Sequence, residues 1–309
     1  MGDPPADASV TAVLFPGQGA QAVGMAGDWV GEYPAAARLF VRGSEILGYD
    51  LLELCRSGPA DRLNTTAVSQ PAILVTSLAA LEAQRARDPA PLDAATITAG
   101  LSLGEYTALV FAGALSFDDA VRVVAERGRA MQDCAEATPG GMVAVLGMNR
   151  DAVVALCDAC RGHGILQLAN VLCPGNIVVS GDRDACGRLA EAAVAAGAMK
   201  CIGLEVAGAF HTPLMQPAVE RLTAALARAE FRPPRIPVVS NVDARPHTDA
   251  AEIRGLLARQ VVGVVEWHDS VAYILSTGVR AAWEIGPGRV LRGLIKRIDR
   301  SVATSGVFD

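Results

Sequence analysis

With 309 residues, 51 % of them hydrophobic, the chain can bury a sizeable core as one large α/β domain or a large domain with an insert. Its net charge of −6 argues against nucleic acid as a partner, because phosphate binding needs a basic surface. Seven scattered cysteines, an odd number without a dense framework, point to a reducing compartment, and no apolar run is read as spanning a bilayer.

Residues 1–9 (MGDPPADAS) are polar, proline-rich and acidic, so they are read as a disordered tail and not a secretory signal. A first strand is predicted over 10–15, ending in Pro16-Gly17-Gln18-Gly19. A turn there lies at the carboxyl end of the sheet, where α/β proteins bind ligands, and its amides can donate to an oxyanion; an ordinary glycine turn has the same four residues. A helix-like run follows, then helices over 34–47 and 66–87, the second with Thr65 or Thr66 as N-cap.

A short strand over 94–99 leads into Gly100-Leu101-Ser102-Leu103-Gly104 and a helix-like run over 105–112. This is G-x-S-x-G between strand and helix, the form of a nucleophile elbow in acyl-transferring serine enzymes. A Cβ at either glycine would clash in so sharp a turn, and the helix start directs amides at the serine. A helix N-cap serine after a glycine turn accounts for the same five residues, so the pattern needs a base and a substrate-orienting group elsewhere. The next helix, over 117–135, carries Arg127 between apolar turns. Pointing inward, it can hold a carboxylate in a bidentate fork; pointing outward, it is an ordinary surface arginine.

At Thr138-Pro139-Gly140-Gly141 the pattern changes. Strand 142–147, helix 150–161, strands 165–171 and 177–180, helix 184–196 and strand 199–206 give the order β-α-β-β-α-β, a ferredoxin-like insert. Cys157 and Cys160 form C-x-x-C, but within an amphipathic helix and without a second pair at zinc spacing, so no metal is expected. The α/β pattern then resumes with helix 216–230, strand 236–240, helices 250–260 and 270–276, strand 281–285 and a last helix from 290. The expected organisation is an α/β-hydrolase-like subdomain over 10–137 and 205–309, with a parallel sheet, interrupted by a ferredoxin-like subdomain over 138–204.

Four histidines are available as a base: His163, His211, His247 and His268. His211 directly follows the last strand of the insert, where the join of two lobes would partly desolvate it, as suits a base working near neutral pH. No acidic residue is positioned as an obvious third triad member.

Taken together, F-P-G-Q-G-A-Q at 15–21, S-Q-P-A at 69–72, G-L-S-L-G-E-Y at 100–106, E-R-G at 126–128, G-A-F-H at 208–211 and E-I-G-P-G at 284–288 resemble the malonyl-CoA:acyl carrier protein transacylase family. The resemblance covers about residues 10–300 and rests on several motifs in the right order. It implies that Ser102 attacks malonyl-CoA and that the malonyl group passes to the phosphopantetheine thiol of acyl carrier protein. It assigns His211 as general base and acid and Arg127 to the malonyl carboxylate. The main-chain amides of Gln18 and Leu103 form the oxyanion hole, and the Gln260 carbonyl orients the histidine. Phe210 resembles malonyl-selective members, and Asn170 is carried over as a substrate-binding residue. No resident cofactor or metal is implied, and a cytoplasmic monomer is expected, with no nucleic-acid or membrane partner.

The chain departs from the family pattern at Leu101, where histidine is usual, and at Leu172 and Asn176 within the usual N-x-N-x-P-G-Q. Arg289, Arg292, Lys296, Arg297 and Arg300 make the last helix basic, either as a steering face for an acidic carrier and CoA or as a solvated surface. The competing reading of the elbow is a serine esterase or thioesterase. A non-catalytic acyltransferase-like docking domain is disfavoured by Ser102, His211 and Arg127 occurring together.

Overall fold

Strand β1 (Thr11–Phe15) is buried along its whole length, as the apolar run Ala12–Phe15 requires of a central parallel strand. The computed structural model describes residues 10–307, so the tail expected at 1–9 lies outside the described residues. After β1 come α1 (Trp29–Glu32), α2 (Pro34–Leu47), α3 (Leu51–Ser57), α4 (Ala60–Leu63), α5 (Thr66–Arg87), α6 (Ala90–Asp93), β2 (Ala95–Gly100), α7 (Gly104–Phe111) and α8 (Phe117–Ala137). The insert comprises β3 (Gly140–Leu146), α9 (Arg150–Cys160), β4 (Leu166–Cys173), β5 (Asn176–Asp182), α10 (Arg183–Ala195) and β6 (Lys200–Gly203). The chain then returns through α11 (Gln216–Arg228), β7 (Val238–Val239), β8 (Pro246–His247), α12 (Ala250–Gln260), α13 (Trp267–Ser276), β9 (Ala281–Glu284), α14 (Val290–Ile298) and β10 (Ala303–Gly306).

The larger sheet has the order β10-β9-β1-β2-β7-β8. All its pairings are parallel except β7 with β8. The smaller sheet, β4-β5-β3-β6, is antiparallel throughout, the arrangement expected of a ferredoxin-like insert. Side chains such as Val143, Val145 and Val179 form the insert's own core with α9 and α10. Met142, Ala144 and Val178 project the other way and join the main core, so the insert is half-buried against the larger subdomain.

Local chemistry explains many boundaries. The side chains of Ser116, Asn149 and Asp249 cap α8, α9 and α12 by accepting main-chain N–H bonds. Thr65 occupies the cap position of α5, yet its hydroxyl donates back to the Arg62 carbonyl, and the N–H of Thr66 donates to Gln132. By length and composition α5 could cross a bilayer, contrary to the sequence reading; 83 % of its most apolar window is buried inside the protein, so it is a core helix. Cys157 and Cys160 lie one turn apart on α9, the first buried and the second half-buried.

Some elements differ from expectation. The strand expected over 236–240 contracts to Val238–Val239, the length over which it pairs with β2. The strand expected over 199–206 ends at Gly203, where pairing with β3 ceases and the chain turns toward His211. Strand β10 reads Ala-Thr-Ser-Gly and is not foreseen; it is a strand because β9 offers it an edge.

Candidate active site

Ser102 sits between β2 and α7 with φ +49°, a left-handed conformation held by its surroundings. The glycines around it are needed because backbone passes close by. A Cβ on Gly100 would lie 1.9 Å from the Gly104 carbonyl carbon, and one on Gly104 would lie 2.2 Å from the Phe15 oxygen. A Cβ on Gly17 would lie 2.3 Å from the Leu101 oxygen, so the Pro16–Gly19 turn rests directly on the elbow. Asn241, just past β7, completes the clamp. Its Oδ1 accepts from the Ser102 N–H (2.6 Å) and its Nδ2 donates to the Gly100 oxygen (2.9 Å).

His211 is buried, with φ +61°. Its Nε2 lies 3.0 Å from Ser102 Oγ, and its Nδ1 lies 2.8 Å from the Gln260 carbonyl oxygen. A carbonyl accepts only, so the ring proton sits on Nδ1 and the Nε2 lone pair faces the serine hydroxyl. Burial, reinforced by the Arg127 charge, pulls its pKa down to about 4, so at neutral pH the imidazole is free to accept a proton. From the insert, Gln167 Nε2 donates to the His211 carbonyl (3.0 Å) and secures this strained backbone. The other histidines lie elsewhere: His163 is exposed, His247 sits between Asp243 and Glu252, and His268 contacts Asp269.

Arg127 points inward and is 1 % exposed. Nη1 donates to Gln70 Oε1 (2.6 Å); Nη2 donates to Gln260 Oε1 (3.0 Å) and Ser102 Oγ (3.1 Å). The guanidinium also lies 5.6 Å from the centre of the Tyr106 ring. Among the described residues it forms no ion pair, so a buried positive charge faces the serine with amide oxygens as its fixed partners.

Gln18 is anchored by its side chain, which donates to Thr66 Oγ1 (3.3 Å) and accepts from Gln70 (3.4 Å). Among the described residues no hydrogen bond engages the main-chain N–H of Gln18 or Leu103, which leaves both as donors on the two segments flanking Ser102. Phe210 is buried in the main core next to His211. Asn170 lies on β4 and bridges by its backbone to Val265; no hydrogen bond joins its side chain to the Ser102 cluster among the described residues. Leu101 packs against a core cluster separate from the main core, one that contains Val239 and Val265.

Four polar residues of the site carried no role in the sequence reading: Gln70, Glu105, Gln167 and Asn241. Gln70 and Glu105 stand inside the quoted S-Q-P-A and G-L-S-L-G-E-Y motifs, and their signal is polarity within helices that are otherwise buried. Asn241 and Gln167 carry no local signal.

A serine hydroxyl facing an imidazole lone pair, two free amides and a buried cation suits attack on a carbonyl whose substrate bears a negative charge nearby. Residues 13–304 match the Acyl transferase domain family. The Malonyl CoA-acyl carrier protein transacylase of Bacillus subtilis is 42 % identical over 97 % of this chain and 94 % of that protein. An acyl carrier protein S-malonyltransferase crystal structure from Vibrio cholerae superposes with a TM-score of 0.91 at 38 % identity, covering 96 % of each chain. A type II PKS acyl-carrier protein in complex with its malonyl-transacylase matches with a TM-score of 0.90 at 38 % identity, over 96 % of this chain and 95 % of that one. With this likeness running nearly end to end, the chain is an acyltransferase and belongs to the malonyl CoA-acyl carrier protein transacylase family.

Proposed function

We propose that this protein moves a malonyl group from malonyl-CoA to the phosphopantetheine thiol of an acyl carrier protein, through a malonyl ester of Ser102. In the first half, the Ser102 hydroxyl proton passes to His211 Nε2 as Oγ bonds to the thioester carbon. The amides of Gln18 and Leu103 stabilise the oxyanion. The C–S bond then breaks, and His211 returns the proton to the CoA sulfur. In the second half the carrier thiol repeats these steps in reverse, giving its proton to His211 and releasing Ser102. The imidazolium formed in each half is stabilised by the Gln260 carbonyl, which takes the place of a triad carboxylate.

The observation that carries the reading is the buried Arg127, 3.1 Å from Ser102 Oγ and free of any protein carboxylate among the described residues. A neutral acyl group would leave that charge without a counter-ion, whereas a malonyl carboxylate supplies one. The relatives named above support malonyl transfer to a carrier, for fatty-acid or polyketide synthesis. Arg289, Lys296, Arg297 and Arg300 are exposed near the basic helix and suit an acidic carrier, whereas Arg292 turns toward Glu284 at 3.5 Å. Phe210 is assigned to the acyl pocket and Asn170 to substrate binding, on the resemblance alone. The reaction calls for no resident cofactor or metal, and seven free thiols suit a reducing, cytoplasmic setting.

The test is mass spectrometry of holo acyl carrier protein after incubation with mixed malonyl-, methylmalonyl- and acetyl-CoA. Malonyl-carrier should dominate. Free malonate without carrier loading would instead identify a thioesterase.

A further inference from the structure

Glu105 opens the first turn of α7 and is 3 % exposed, an expensive place for a carboxyl group. Two N–H donors converge on its Oε2: the Asn241 main chain at 3.0 Å and Gln260 Nε2 at 2.7 Å. That oxygen therefore accepts in either protonation state of the acid. The same Nε2 group donates to the Ser102 carbonyl oxygen at 3.1 Å. Both hydrogens of the Gln260 amide are thus committed, and its oxygen is left facing Arg127. Reversing the amide would set N–H against guanidinium on one side and oxygen against two acceptors on the other.

We propose that Glu105 is a positioning residue for acyl selection: acting through Gln260, it aims Arg127 at the acyl group on Ser102 while keeping a neutral amide between its own carboxyl and the guanidinium. The amide is the essential part of the device. A carboxylate bonded directly to Arg127 would supply the counter-ion that the substrate has to bring. Held by Gln70 and Gln260 oxygens, the guanidinium is fixed in place and keeps its charge. Through the Asn241 main chain the same acid also steadies the side chain that clamps the elbow. The inference rests on the malonyl reading and extends it to how carboxylate selectivity is built.

The test compares kcat/KM for malonyl-CoA and acetyl-CoA, with holo acyl carrier protein as acceptor, in the full chain and its variants. Glu105→Leu should lower the malonyl-to-acetyl ratio about tenfold or more, with malonyl transfer falling further than acetyl transfer. Glu105→Gln still presents an oxygen to both N–H groups and should keep the ratio within about threefold of the parent. Equal losses for both donors in the leucine variant, or a glutamine variant as unselective as the leucine one, would overturn the proposal. Should Glu105→Leu fail to fold, Gln260→Met, which keeps the carbonyl that orients His211, must lower the ratio; an unchanged ratio is equally fatal. A parent chain without any malonyl preference would overturn the functional reading itself, a distinct outcome visible before any variant is made.

Discussion

His211 and Arg127 oppose each other electrostatically, and that fixes the pH behaviour of the site. The histidine pKa is pulled from 6.5 to about 4, first by burial and then by the arginine. Neutral imidazole is the active base, so kcat/KM for malonyl transfer should stay level as pH falls through 6.5 and decline only toward about 4. Removing the neighbouring charge in Arg127→Gln should move that acidic limb upward; an unmoved limb would show that the arginine does not act on the histidine. Arg127→Ala should also reduce malonyl transfer by about 10²-fold or more while acetyl transfer falls far less, because the lost partner belongs to the carboxylate. Ser102→Ala should form no acyl-enzyme detectable by intact-protein mass spectrometry.

The strand–turn–helix elbow is legible in sequence because its requirements are local and steric. Its glycines border passing backbone, and the structure supplies the distances. Gly104→Ala places a Cβ 2.2 Å from the Phe15 oxygen and should cost about 3 kcal/mol or more, seen as a large fall in Tm or as insoluble protein. Gly255, exposed in α12 with nothing within 4 Å of its absent Cβ, is the control: Gly255→Ala should stabilise by about 0.5–1 kcal/mol. Helices with a polar cap and an amphipathic face were equally readable; α12 falls at 250–260 as its periodicity predicts. Helix α5 exposes the limit of local reading. Its bounds are clear, but the sequence alone does not say that packing on nearly every side makes it a core helix.

At the scale of the molecule, both subdomains build the site. β4 of the insert holds His211 through Gln167 and joins Val265 through main-chain bonds of Val171 and Ala169, and Arg150 meets Glu266 across the same boundary. Two buried titratable groups then give folding stability opposing dependences on pH. His211, depressed, contributes stability that is complete above about 6.5 and lost as pH falls toward about 4. Glu105 is raised from 4.5 to about 7, by burial against the pull of Asn241, Gln260 and Arg127. It therefore costs stability as pH rises from 4.5 through about 7. Glu105→Gln removes that second dependence, so its Tm relative to the parent should be higher at pH 8 than at pH 5. The same difference at both values would mean that the acid titrates normally.

The amino-acid sequence by itself marked most of the longer elements, their order, the elbow and the insert, and singled out Ser102, His211 and Arg127 as the candidate reacting groups. The elements follow from periodicity and turn chemistry encoded over a few neighbouring residues, and the choice of those three residues follows from the resemblance carried by several spaced motifs. Tertiary structure alone decided that β10 is a strand and that Gln70, Glu105, Gln167 and Asn241 hold the serine, histidine and arginine in place. The hydrogen bonds that do so join residues 44 to 155 positions apart. A buried polar side chain carries no mark of its partner until the folded chain brings the two within about 3 Å.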